Sequence, residues 1–100
     1  MSEKIRDEHT DLFVDALLSV KTPEEMYSFL EDICTIQELK SMAQRLTVAV
    51  LLKKDTPYND IVDKTGVSTA TISRVNRCLQ YGADGYTKDL ENLEKSGKLQ

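Results

Sequence analysis

Hydrophobic positions along this 100-residue chain recur every three or four residues, the period of an α-helix rather than of a strand. Leu12, Phe13, Ala16, Leu17 and Val20 fall on one helical face. Thr22-Pro23-Glu24-Glu25 then restarts the chain. Thr22 suits an N-cap, Pro23 suits the first helical position, and Glu25 completes a capping box. Met26, Phe29, Leu30 and Ile33 form the apolar stripe of that second helix. Thr35-Ile36-Gln37-Glu38 is a second capping box, opening a longer helix through Leu39, Met42, Ala43, Leu46, Ala49 and Val50. From Val48 to Leu52 this helix is apolar nearly all round, which predicts burial on most sides, by its own fold or by a partner subunit.

Thr56-Pro57 repeats the cap-then-proline signal and predicts a short helix carrying Ile61 and Val62 inward. Gly66 stops it. Ser68 caps the next helix, which turns Ile72, Val75 and Leu79 inward. Gly82 and Gly85 punctuate the chain after that. A last amphipathic segment over 84–97 holds Tyr86, Leu90 and Leu93 and runs into Lys95-Ser96-Gly97-Lys98, a polar end expected to fray. With no strand pattern, repeat or low-complexity stretch, the expected fold is all-α. One domain is expected over 1–100, with dimerisation helices in 1–55, a helix-turn-helix in 56–80 and a C-terminal helix in 84–97.

The helix-turn-helix reading rests on Gly66-Val67-Ser68-Thr69-Ala70-Thr71-Ile72-Ser73-Arg74. The turn needs a residue tolerant of positive φ, which Gly66 supplies. Val67 is placed to plug the angle between the helices. The outer face of the second helix must be small and polar near its start so that it can approach a groove closely, and Thr69, Ala70 and Ser73 meet that need. Threonine methyls and alanine can contact thymine methyls, and hydroxyls can reach base edges or phosphates. The expected DNA-contacting set is Asn59, Ser68, Thr69, Ala70, Thr71, Ser73 and Arg77, with 69–79 as the reader helix. The competing reading is a plain helical hairpin carrying a glycine, to which Val62 lends weight at a position where alanine is more usual.

Net charge qualifies this picture. The total of −4 opposes DNA binding, but the charge is uneven. Residues 1–52 hold five Lys/Arg against ten Asp/Glu, whereas residues 53–80 hold five against three. The positive charge therefore sits on the candidate reader. Such a modest patch predicts modest, strongly salt-dependent affinity. No apolar run is long enough to cross a membrane, and residues 1–4 show no secretory leader, so a cytoplasmic protein is expected. Cys34 and Cys78 lie in apolar-periodic segments without metal-like spacing, which predicts reduced, buried thiols.

From Leu39 to Leu79 the sequence resembles the Trp repressor superfamily, and within it the Trp-repressor-like YerC/YecD branch. The residues that carry the resemblance are Thr35-Ile36-Gln37-Glu38-Leu39, Ala43-Gln44-Arg45, Leu51-Leu52-Lys53 and Ala70-Thr71-Ile72-Ser73-Arg74. The resemblance implies a six-helix protomer and an intertwined homodimer that represses transcription, with reader heads spaced for successive major grooves. It also implies an effector pocket. Arg45 and Arg74 match arginines that flank the co-repressor's indole, and Thr35 matches a threonine near the ligand's polar end. Two positions depart from the family: Val75 stands where the repressor has glycine, and Cys78 where it has serine. Asp32 falls near where the partner subunit would offer an apolar residue. A valine would intrude on a pocket shaped for indole, so L-tryptophan is not expected to bind. The pocket is then filled by side chains or takes another small-molecule effector. Arg45 and Arg74 also have a plainer reading, as arginines paired with acidic neighbours.

Other chemistry is thinly represented. His9 is the sole histidine, which argues against a metal site or general base built around it; Asp7 to Asp11 reads as a solvated helix start. Tyr81 and Tyr86 read as packing for a terminal helix. Cys78 reads as an inert thiol rather than a redox sensor. No P-loop, nucleophile elbow or dinucleotide turn occurs, so no enzyme and no cofactor are expected. The expected partners are double-stranded DNA and a second copy of the chain, the alternative being a dimeric protein–protein adaptor.

Overall fold

A computed structural model describes residues 4–99. Six helices make up its regular structure, in the order α1 (Glu8–Ser19), α2 (Pro23–Ile33), α3 (Ile36–Lys53), α4 (Tyr58–Thr65), α5 (Thr69–Tyr81) and α6 (Gly85–Lys95). No strand occurs among the described residues. The chain divides into two compact units, Met1–Lys40 and Ser41–Gln100, with α3 contributing to both.

Local hydrogen bonding sets where most helices begin. Asp7 opens α1 with a reciprocal box that the sequence reading took only as a solvated start. Its carboxylate accepts from Thr10 N at 2.8 Å, and its own N–H donates to Thr10 Oγ1 at 2.9 Å. Thr22 caps α2, accepting from Glu25 N at 3.2 Å, with Pro23 at the first helical position. This box is only half made, because the Glu25 carboxylate takes the Thr22 hydroxyl at 3.5 Å and not the Thr22 amide. Thr35 and Glu38 make both halves at the start of α3, at 3.0 and 2.8 Å.

In the first unit, α1 and α2 meet through Phe13 and Phe29, whose ring centroids lie 6.2 Å apart. Neither helix buries a residue fully within the single chain. Ala16, Leu17, Val20, Met26, Phe29 and Leu30 are half-buried, while Leu12 and Leu18 are 70% and 78% exposed.

The second unit holds the core, formed by Val48, Ala49, Ile61, Val67, Ile72, Val75 and Leu90. The all-apolar end of α3 accounts for this: Val48 and Ala49 are fully buried, and Val50, Leu51 and Leu52 pack around the cluster. α5 packs against both α4 and α6. Leu90 seals α6 onto the core, with Tyr86 and Leu93 half-buried beside it. Lys53 of α3 pairs with Glu94 of α6.

Two helix ends differ from expectation. Thr56 does not cap α4; Pro57 occupies that position, with no side-chain cap. The Thr56 amide is committed elsewhere. It donates to Leu51 O at 3.0 Å while Asp55 N donates to Leu52 O at 3.0 Å, and Asp55 sits at φ 59°. That pair of bonds is the Schellman closure of α3. The end of α6 is likewise closed rather than frayed: Gly97, at φ 77°, donates to Glu94 O and Lys98 donates to Leu93 O.

Candidate nucleic-acid interface and the adjoining cavity

The turn between α4 and α5 is built from short-range bonds. Gly66 ends α4 in the left-handed region at φ 75°, its amide on Val62 O at 2.8 Å. Thr65 Oγ1 donates to Ile61 O at 2.7 Å and accepts from Val67 N at 3.3 Å. Val67 is 9% exposed and belongs to the core, so it does plug the angle between the helices. Ser68 Oγ caps α5, accepting from Thr71 N at 3.2 Å. From α3, Gln44 Nε2 donates to Thr65 O at 3.4 Å and ties the turn to the long helix.

α5 buries the stripe Ile72, Val75, with Leu79 half-buried after it. Ala70, Ser73 and Arg77 repeat the same spacing on the outer side and are exposed, as is Thr69 one turn before Ser73. This face offers small side chains near the helix start and an arginine farther on. Among the described residues the one ion pair is Lys53–Glu94, so no described carboxylate neutralises Arg77. Asn59, the second residue of α4, and Ser68 are also exposed.

Thr71 lies apart from that face. It is half-buried, and its hydroxyl is 3.2 Å from Ser68 Oγ. Together with Arg74 it turns to another flank of α5, where a cavity of about 390 Å³ is lined by Ser41, Gln44, Arg45, Val67, Thr71 and Arg74. Arg45 and Arg74, which the family resemblance implies for one pocket, both line this cavity. Arg45 is half-buried and Arg74 exposed, and neither joins an ion pair with a described residue. Five of the six lining side chains are polar and none is acidic.

The remaining pocket candidates are not among these lining residues. Val75 is 2% exposed inside the core and is not a lining residue. Thr35 belongs to the first unit, where it holds the start of α3. The Thr35 N–H, and then its hydroxyl, keep the Glu38 carboxyl below the usual carboxylate range. The Thr10 backbone and hydroxyl do the same for Asp7.

The cysteines correct the sequence reading. Cys78 is exposed and free rather than buried, and Cys34 is half-buried. Cys78 stands one turn after the exposed Arg74, so helical spacing gives it that exposed flank and not the stripe of Val75 and Leu79. Ser41 and Gln44 were not singled out as site residues. The available signal was position: Ser41 stands one turn before Arg45. Among the described residues no three His, Cys, Asp or Glu gather as a metal site, and no helix is long and apolar enough to cross a membrane.

The sequence matches the model of the Trp repressor protein family over residues 8–94. It is 46% identical over 94 residues to YerC of Bacillus subtilis (strain 168), covering 94% of this chain and 90% of that protein. It is 33% identical over 84 residues to a Trp operon repressor homolog of Chlamydia caviae, covering 83% of each. A solved TrpR-like protein from Eubacterium eligens shares its fold with a TM-score of 0.88 at 46% identity, over 98% of both chains.

Proposed function

We propose that this chain, which belongs to the Trp repressor family, is a sequence-specific DNA-binding transcriptional regulator that acts in the cytoplasm as a homodimer. The family is regulatory and non-enzymatic, so the chain is not an enzyme. The observation that carries the proposal is the outer face of α5, where exposed Thr69, Ala70 and Ser73 precede Arg77, which no described carboxylate neutralises. A helix so built enters the major groove by its start and anchors by its arginine. Repression is the expected direction, supported by the relative named as a Trp operon repressor homolog. The apolar side chains that α1 and α2 leave exposed in the single chain, Leu12, Val14 and Leu18 among them, support a second copy as their cover. On this reading residues 1–55 dimerise, 56–80 read DNA, and 84–97 close the head.

The test is selection of bound sequences from a random DNA pool, followed by salt-dependent gel shift. A palindromic motif supports the dimeric regulator. Failure to shift any fragment at low salt favours a helical protein–protein adaptor instead.

L-tryptophan is not the effector on this reading. Val75 and Cys78 stand where the family resemblance implies a glycine and a serine at the ligand. Calorimetric titration with tryptophan should show no binding in the micromolar range; binding there would refute this part.

A further inference from the structure

We infer that Gln44 is the positioning residue of the helix-turn-helix: its bond to the Thr65 carbonyl fixes the turn on α3 and so sets how sharply α5 discriminates between DNA sites. The discrimination half rests on the regulator reading above; the positioning half does not. Only two side-chain hydrogen bonds among the described residues join different helices, and both start from α3. Lys53 reaches α6 through Glu94, and Gln44 Nε2 reaches the end of α4 through Thr65 O at 3.4 Å. The last four carbonyls of a helix have no partner inside it. At the end of α4 the Gly66 amide takes Val62 O at 2.8 Å, a bond made within the turn itself. Among the described residues Thr65 O is met from α3 alone.

Thr65 carries that anchorage into the turn. Its hydroxyl donates to Ile61 O at 2.7 Å and accepts from Val67 N at 3.3 Å. One residue therefore joins α3, α4 and the amide that leads Val67 into the core. Ser68, the cap of α5, follows Val67 directly, and the exposed Thr69 and Ala70 open the helix after it. A shift at Thr65 thus reaches the start of the reader within one short stretch of backbone. Gln44 is suited to this by place and type. It stands one helical turn before the fully buried Val48, so the same face of α3 that enters the core brings its amide to the edge of the head. Its amide donates without carrying a charge, so the bond places no ion against the turn. All of these residues lie in the second unit.

A bond that only adds stability leaves the native geometry in place when it is lost; a bond that positions does not. The experiment compares the full-length protein with Gln44→Met, which keeps the side-chain length and loses the donor. In the wild-type protein the Gln44 side-chain amide protons should show a nuclear Overhauser contact with Thr65 or Gly66. Residual dipolar couplings of the backbone amides then report orientation. In Gln44→Met the couplings over 62–71 should no longer fit the wild-type geometry, whereas those over 46–53 and in α6 should still fit it. Gel shifts are run in parallel on a selected DNA fragment and on the same fragment with one base pair changed. The ratio of matched to mismatched affinity should fall about two- to twelvefold in Gln44→Met, the range that one ordinary hydrogen bond spans. Couplings over 62–71 that stay in place, altered couplings with an undiminished ratio, or absence of the wild-type contact overturn the proposal; the contact needs no variant to fold. A wild-type protein that shifts no DNA would sink the regulator reading, and the couplings alone would then decide whether Gln44 positions the turn.

Discussion

Two glycines of the second unit are required for different reasons, and substitution by alanine separates them. Gly66 has φ 75°, and a Cβ built there meets nothing within 4 Å. Its constraint is purely conformational. An L-residue in that region costs roughly 1–2 kcal/mol, of which alanine's stiffer unfolded chain offsets about 0.4–1. Gly66→Ala should therefore destabilise by about 1 kcal/mol, and Gly66→Asn by less, because asparagine tolerates this region. Gly82 is the opposite case. Its φ of −84° suits any residue, but an added Cβ would overlap the Cys78 carbonyl oxygen and crowd that residue's C and Cα at 3.1 Å. Backbone must move, and overpacking of this kind costs about 1–3 kcal/mol. Thermal melts followed by circular dichroism, at one fixed protomer concentration, give the order. For a domain near this size each kcal/mol lowers Tm by about 4–8 °C. The expected ranking is wild type, then Gly66→Asn, Gly66→Ala and Gly82→Ala. If Gly66→Asn melts no higher than Gly66→Ala, the left-handed turn is not what makes that glycine necessary. If Gly82→Ala melts like wild type, the end of α5 is looser than its geometry implies.

Three further outcomes are expected. Ser68→Ala removes the α5 cap and should cost about 1 kcal/mol by thermal melt, whereas the same change at the uncapped Ser73 should cost little. Asp7 and Glu38 have their carboxyl pKa values lowered in the folded chain, so the unfolded chain takes up protons first. Their contribution is full above the ordinary carboxylate range and is lost as pH falls through the folded-state values, so Tm should drop below about pH 5. Glu38→Gln should make that acid decline shallower, and an unchanged decline would exclude Glu38 as a contributor. Arg77→Ala should leave Tm in place but weaken binding to a selected DNA site by about 1–3 kcal/mol in gel shift, if the arginine contacts a base.

Helix starts were the most legible part of the fold because a cap is settled within four residues. Thr22-Pro23, Thr35 with Glu38, and Ser68 could each be found without knowing what lies across the core. Helix ends were legible only where the residue type announced them. The same Schellman closure ends α3 and α6. At α6 its left-handed position is Gly97, yet the polar composition there suggested fraying; at α3 it is Asp55, and nothing local marked it. Missing that closure assigned Thr56 to the wrong helix. Its amide was already spent on Leu51 O, so Thr56 finishes α3 and leaves Pro57 to begin α4.

The site was legible by face and not by flank. Helical spacing separates the buried stripe of Ile72, Val75 and Leu79 from everything polar on α5. It cannot divide the polar side in two, because that division depends on where a neighbouring helix lies. Ser41, Gln44 and Arg45 of α3 close against one flank, which takes Thr71 and Arg74 into the cavity and leaves Ala70 and Ser73 on the outer face. Thr71, grouped with the DNA-contacting residues by sequence, therefore belongs by position with the arginines. Cys78 was misplaced for the related reason that an apolar-periodic segment also has an outward flank, and Cys78 stands one turn after the exposed Arg74 on it. Val75 shows the converse. Its valine completes the core stripe, so a side chain expected to intrude on a ligand is instead spent on holding α5 to the core.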